Sequence, residues 1–488
     1  MCKIINRYWA RKGVYTLPPN IIFGNAKDVI YQKRSLGEDI KEFYEKLNLD
    51  GKRFGGYYFL MRPTLVLSDV DLIKKILTSN FNHFTDHPAY ANEDKDPLSA
   101  NLFTLKGEKW RKLRSHLNPA FSAGQCKVMV DILLSCCKDV EILLDTKVAH
   151  NEKIDLLQIL CKLNGTMLGA CAVGLEGSAL KNLSSGLHDY SNTFLHNQGL
   201  RGSVVNVASL VFPDLLHILK LRLHSDQMTN FFMTTVQNAI KYREDNNIVR
   251  KDIMHLLLRL RNTGEINENN TETTHEKLNN KQIAAQCFLF LIAGYEATSI
   301  TSTFCIYELS LNQVEQDKVR EEIDVVLQNT DGKITYDVLS KMKYLDQCIY
   351  ETLRKYPPMP IHSRVCTQMY KIPDTDVTIT KGTPVFVPIY AIHMDPEYFP
   401  NPQAFDPDRF SKENKFSRPT SSFMPFGEGP RSCIAYKFGL VQVKLVLVTL
   451  LTRYKFSLHH STKVPIDFDS KDFVIYPSSP ILVTAERI

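Results

Sequence analysis

The chain contains no uninterrupted apolar run of 18 residues or more, so no membrane-spanning helix is expected from its sequence. The first residues, MCKIINRYWARKGVYTLPP, are basic and aromatic but lack the apolar middle of a signal peptide. They read either as a juxtamembrane segment or as a surface arm. Linkers rich in Gly and Ser, or in Pro, are missing, and no fixed-period repeat shows. The expected organisation is therefore a basic juxtamembrane arm over 1–19 and a single domain over 20–488. Charge of one sign is in short supply: 59 basic residues against 53 acidic ones leave a net +6. That is too little to point to nucleic acid, although it suits an acidic partner or an anionic membrane surface. The 11 cysteines lack framework spacing and contain no Cys-x-x-Cys pair. A disulfide scaffold and a zinc module are thereby disfavoured, and most of these thiols read as small, reduced core residues.

What is present is an ordinary apolar mass, 44% hydrophobic, with helix-period patterns through most of Leu98 to Arg259 and again from Asn280 to Leu327. Phe54 to Ser68 reads as two strands around a turn at Arg62-Pro63. Asp69 is placed to cap a helix with Leu72, Ile73, Ile76 and Leu77 on one face. Tyr344 to Lys355 is helical and is stopped by Pro357-Pro358. Short extended pieces follow at Tyr370 to Ile372, Val377 to Ile379 and Thr383 to Pro388, with an irregular stretch from Asp395 to Phe410. An apolar helix over Ala435 to Tyr454 and a β-like tail end the chain. The expected fold class is mainly α with a smaller β region. Arg261 to Asn280 reads as a polar surface loop. Gly202 to Leu223, apolar but broken at Pro213-Asp214, reads as two core helices or as an apolar tip that dips into a bilayer.

One segment concentrates unusual chemistry. Phe423 to Gly439 reads FMPFGEGPRSCIAYKFG. Gly427 and Gly429 permit a tight turn. Cys433 lies just before a helix start, where free N–H groups and the helix dipole favour a thiolate, the form that binds metal. Arg431, two residues earlier, is available to an anion. A buried, inert thiol would explain Cys433 alone but not its glycines and arginine.

The segment resembles the Phe-x-x-Gly-x-Arg-x-Cys-x-Gly haem-thiolate signature of the cytochrome P-450 superfamily, with Ala435 in place of the last Gly. Other landmarks of that family follow in order. Trp110 and Arg114 match Trp-x-x-x-Arg, Glu351 and Arg354 match Glu-x-x-Arg, and Asp408-Arg409-Phe410 resembles the family's Glu-Arg-Phe element. AGYEAT, Ala293 to Thr298, matches the oxygen-side helix. The resemblance implies a cytochrome P-450 fold and a haem b whose iron is bound by Cys433. Around that haem it places Trp110, Arg114, Arg364, Arg431 and Phe426, the arginines on its propionates. Glu351, Arg354 and Arg409 are implied to form a structural ion network.

Glu296 and Thr298 are the candidates for proton delivery. The family's usual Thr is Ala297 here, and Thr298 is turned by about 100° on a helix, so it either packs structurally or serves catalysis. The gap is filled by a water or substrate hydroxyl, or coupling is poor and peroxide leaks, or the chemistry needs no dioxygen scission. The implied activity is insertion of one oxygen atom of dioxygen into small hydrophobic substrates. An NADPH-dependent flavoprotein reductase would supply electrons, docking on basic residues such as Arg111, Lys112 and Lys437. The alternatives are a peroxide isomerase or dehydratase and a non-catalytic hydrophobic-ligand binder. ARKGVYTLPPNIIFGN and PFGEGPRSC look similar to the insect microsomal branch, which implies the cytosolic face of the endoplasmic reticulum, peripheral membrane contact and no nucleic acid.

Overall fold

The computed structural model describes residues 7–177, 221–264 and 277–488, with isolated positions between them. Gly202 to Leu223 lies largely outside the described residues, as does 265–276 of the polar loop.

Helices dominate, and strands sit early and late, as the sequence patterns require. Nine strands are described: β1 Phe54–Phe59, β2 Arg62–Leu67, β3 Ile154–Asp155, β4 His362–Val365, β5 Tyr370–Lys371, β6 Thr378–Ile379, β7 Pro384–Val387, β8 Tyr454–Leu458 and β9 Leu482–Arg487. They form a four-stranded sheet β1-β2-β7-β4, a three-stranded sheet β3-β9-β8 and the pair β5-β6. The longer helices are α1 Leu36–Leu49, α2 Val70–Leu77, α3 Gly107–Leu117, α4 Ala123–Ala149, α5 Leu156–Leu168, α6 Asp226–Asp245, α7 Ile253–Asn262, α8 Asn280–Leu311, α9 Gln313–Gln328, α10 Lys343–Lys355 and α11 Tyr436–Leu451.

Local chemistry fixes many of the boundaries. Asp69 caps α2, accepting from the Leu72 N–H at 2.6 Å. The β1–β2 turn falls at Leu60 and Met61, with Leu60 at φ 56°, rather than at Arg62-Pro63. Pro63 is accommodated near the start of β2, because only Leu65 and Val66 of that strand pair with β7. The expected run from Asn280 to Leu327 is two helices. Asn312 takes φ −110° and ψ 76°, and its side chain donates to the Glu308 carbonyl, ending α8 before α9 begins.

Residues 7–19, expected as an arm apart from the domain, are docked on it. Trp9 is fully buried, its N–H donates to Tyr58 Oη at 3.0 Å, and Thr16 bridges to Gly56. A methyl on Gly56 would overlap the Trp9 ring at 2.2 Å, so the strand is shaped to receive the indole.

α8 is the spine of the molecule. It packs against α5, α6, α10 and α11, and Ile300, Phe304, Cys305 and Ile306 on it are fully buried. Leu156–Val173 and α8 are long and apolar enough to cross a membrane, but 78% and 72% of their apolar windows are buried inside the protein. Their hydrophobicity is accounted for by the core.

Candidate haem-thiolate site

The loop before α11 is built on two left-handed glycines, Gly427 at φ 75° and Gly429 at φ 74°. A Cβ on Gly429 would stand 1.9 Å from the Leu77 carbonyl oxygen, so only glycine lets the loop lie against the end of α2. The Cys433 N–H then donates to the Phe426 carbonyl at 2.8 Å. Ala435, at φ −101°, adopts a conformation open to any residue, so the methyl that replaces the family's glycine costs no backbone strain here.

Among the described cysteines, Cys433 alone is exposed. Yet removal from bulk water is the largest influence on its thiol and pushes the pKa up, while the Ala435 N–H and the Arg114 charge pull it down. Exposure and desolvation coexist when a side chain faces an internal hollow. On α8, Ala293 is likewise exposed and Ala297 half-buried on one face of an otherwise core helix.

Beside this hollow lies an arginine cluster. Arg364, on β4, is buried, donates to the Ser363 carbonyl at 2.9 Å and leaves its Nε without a partner. Burial lowers its pKa to about 10. Arg431 lies 3.9 Å over the Trp110 ring and reaches the carbonyls of Thr85, Leu102, Phe103 and Leu105. Burial first, and then Arg364 and Arg114, bring its pKa down to about 9 against the opposing pull of Asp86. Arg114 donates to the Ser432 carbonyl at 2.9 Å, tying α3 to the residue before Cys433. Asp86, 3.6 Å from Arg431, is the one carboxylate paired with these three guanidiniums among the described residues.

Two histidines join the cluster that the sequence did not single out. His87 stacks on Phe103 with ring centroids 4.4 Å apart and lies 3.3 Å from Arg364. His362 sits two residues before Arg364, on the same side of β4, and its ring lies 3.3 Å from where a Cβ on Gly427 would stand. Its imidazole is held neutral, at a pKa of about 3, by burial and by the Arg364 charge. The i,i+2 spacing in a strand was the available signal.

On α8, Glu296 is buried. Thr298 is buried as well. Its hydroxyl donates to the Gly294 carbonyl at 2.6 Å, and its methyl lies 4.0 Å from where a Cβ on Gly439 of α11 would stand. Thr298 thus bonds back to its own helix and approaches α11.

The implied ion network is present on α10. Glu351 and Arg354 are fully buried, and Arg354 donates to Glu351 at 2.7 Å and to the carbonyls of His393, Pro402 and Ala404. Arg409 approaches Glu351 at 3.4 Å, while Asp408 is exposed and outside the network. Lys112 and Lys437 are exposed, as is Arg111, which donates to Asn82. A cleft of about 730 Å³ lined by Asp131, Cys137, Asp324 and Arg453 shares no residue with the site.

The sequence matches the Cytochrome P450 family model over residues 16–485. It is 36% identical to the probable cytochrome P450 6a14 of Drosophila melanogaster, over 99% of this chain and 95% of that one. It is also 35% identical to cytochrome P450 6k1 of Blattella germanica, over 98% of this chain and 92% of that one.

Proposed function

The chain belongs to the cytochrome P450 family, whose members bind haem and act as oxygen-dependent monooxygenases, and from that premise we propose that Cys433 is its axial thiolate and Arg114, Arg364 and Arg431 are its propionate cradle. The observation that carries this is the cluster of three guanidiniums with one carboxylate partner beside the single exposed thiol among the described cysteines. A buried excess of positive charge is stable only with an anion to complete it. Two carboxylates at the edge of an apolar plate fit that demand, and the unpartnered Nε of Arg364 is a donor ready for one.

When bound, the haem iron supplies oxygen activation, with the thiolate favouring O–O cleavage. The protein's own groups do the rest. The Ala435 N–H and the Arg114 charge favour the anionic form of the Cys433 sulfur against the desolvation that raises its pKa. Arg431 is held over the Trp110 ring and by backbone carbonyls, so its position is organised before any ligand arrives. Ala293 and Ala297, with their small side chains, would leave room on the α8 face for dioxygen and substrate. Glu296 is the buried acid on the same helix and would serve proton delivery.

The substrate is a small hydrophobic molecule, and xenobiotics are the class suggested by the likeness to insect relatives. An NADPH-dependent flavoprotein reductase delivers electrons, and the exposed Lys112 and Lys437 support its docking near Cys433. Peripheral contact with the endoplasmic reticulum is supported by exposed Ile21, Ile22 and Tyr31 close in sequence to Lys27 and Lys33. A reduced carbon-monoxide difference spectrum tests the central assignment. A strongly red-shifted Soret band is expected, and Cys433→His abolishes it. A normal Soret position in the unaltered protein overturns thiolate ligation. The bare methyl of Ala297 favours a second reading, rearrangement of peroxides; product formed from a lipid hydroperoxide without NADPH identifies that chemistry.

A further inference from the structure

The turn of α8 that carries Glu296 and Ala297 is gripped by α5 on both sides. Asn164 and Leu168 lie four residues apart on α5 and so share one ridge of it. Asn164 Nδ2 donates to Ser299 Oγ at 3.2 Å, just beyond the turn. Just before it, a Cβ on Gly294 would stand 2.9 Å from the Leu168 side chain, so the glycine is what lets α5 come close. The same ridge continues past the end of α5, where the Cys287 thiol of α8 donates to the Ala172 carbonyl at 3.4 Å.

Asn164 is in turn held by α11, the helix that follows Cys433. Gln442 Nε2 donates to Asn164 Oδ1 at 2.7 Å. Ser299 completes the chain, donating to the Tyr295 carbonyl at 2.6 Å. Hydrogen bonds therefore run without a gap from α11 through α5 into α8. We propose that Asn164 is a positioning residue, fixing where the Glu296–Ala297 turn stands relative to the Cys433 loop and so how closely substrate and dioxygen are held between them. The inference rests on the monooxygenase reading above.

Adhesion between helices does not account for this choice of residues. Asn164, Ser299 and Gln442 are all fully buried, and Gln442 Oε1 finds no hydrogen-bond partner among the described residues. A buried acceptor left alone lowers stability, and apolar side chains of the same shape would join the helices about as firmly. Asparagine is also a poor residue for a helix interior. What an apolar seam does not supply is register. Amides and hydroxyls bond at one rotation and one height, whereas methyl groups pack at several.

Asn164→Leu keeps the volume and cuts both bonds, and Ser299→Ala cuts one. Each is made in the full haem-loaded chain and compared with the unaltered protein at equal haem content. Three quantities are read: the thermal midpoint, hydrogen exchange of the 294–299 amides, and product per NADPH with reductase and an apolar probe substrate. Asn164→Leu is expected to hold its midpoint while those amides exchange about tenfold faster. Product per NADPH falls about tenfold, because a small misplacement of the turn spoils the reacting geometry. The double variant loses no more than Asn164→Leu alone, since the chain is already broken. Unchanged exchange, unchanged product per NADPH, losses that add across the two substitutions, or a loss only in step with a lowered midpoint overturns the proposal. Should Asn164→Leu fail to fold, Gly294→Ala displaces the turn from its other side. It is expected to lower product per NADPH, and adding Leu168→Ala restores it by clearing space for the methyl. No loss, or no rescue, overturns the positioning role. The exchange measurement needs no electron transfer, and an unaltered protein without a red-shifted carbon-monoxide band overturns the functional reading instead.

Discussion

Ala297 puts a methyl where the resemblance leads one to expect a threonine hydroxyl, and it is half-buried on α8. Ala297→Thr is expected to raise product per NADPH and lower hydrogen peroxide release, both measured in the reconstituted system, while the carbon-monoxide spectrum stays the same. His393 is a second residue whose environment makes a measurable statement. It is fully buried, accepts from the Met424 N–H at 3.2 Å and is held neutral at a pKa of about 3, by burial first and then by the Arg354 charge. The unfolded chain returns it to about 6.5. Between those values the unfolded state binds a proton that the folded state refuses. Its contribution is therefore fully present above about pH 6.5 and is lost on acidification, by about 1.4 kcal/mol per pH unit. His393→Gln, which can still accept from Met424, is expected to flatten the fall of chemical-denaturation stability between pH 6 and 4. His362, depressed in the same way, leaves a residual slope.

Elements carry the next constraint. The loop before α11 meets the end of α2 so closely that any side chain at 429 collides with the Leu77 carbonyl. Gly429→Ala is expected to cut haem bound per chain severely, read from the Soret absorbance against protein concentration, because the left-handed φ and the clash act together. Element boundaries also show where patterns mislead. The apolar period from Asn280 to Leu327 runs straight through Asn312, yet the chain breaks there because the asparagine side chain takes over a carbonyl of the last turn. The β1–β2 turn was misplaced at Pro63 because proline is the stronger sequence signal, although Leu60 pays the positive φ.

Across the whole molecule, the sheet region and the helical core are joined at both ends of the chain. Trp9 seals the first against β1, and the C-terminal segment closes the second through Ile475. Trp9→Ala removes a fully buried indole for which Gly56 leaves the space, at a cost of about 3–5 kcal/mol. A thermal midpoint lowered by several degrees is the expected result, and an unchanged midpoint would show residues 7–19 to be a dispensable arm. The buried pairing of Glu351 with Arg354 links α10 to the segment that supports the cysteine loop, so strain in one region reaches the other.

The sequence by itself determined the family, because its motifs rest on spacing within short segments, and it singled out Cys433, Arg114, Arg364, Arg431 and the α8 face as candidates. Helix spacing and glycine chemistry are local properties, and they survive without knowledge of what packs above them. Only the tertiary structure decided that Thr298 approaches α11, that Trp9 belongs to the core, and that His87 and His362 stand among the arginines. Those outcomes depend on which side of an element is turned toward which neighbour, and that is settled by packing between segments distant in sequence.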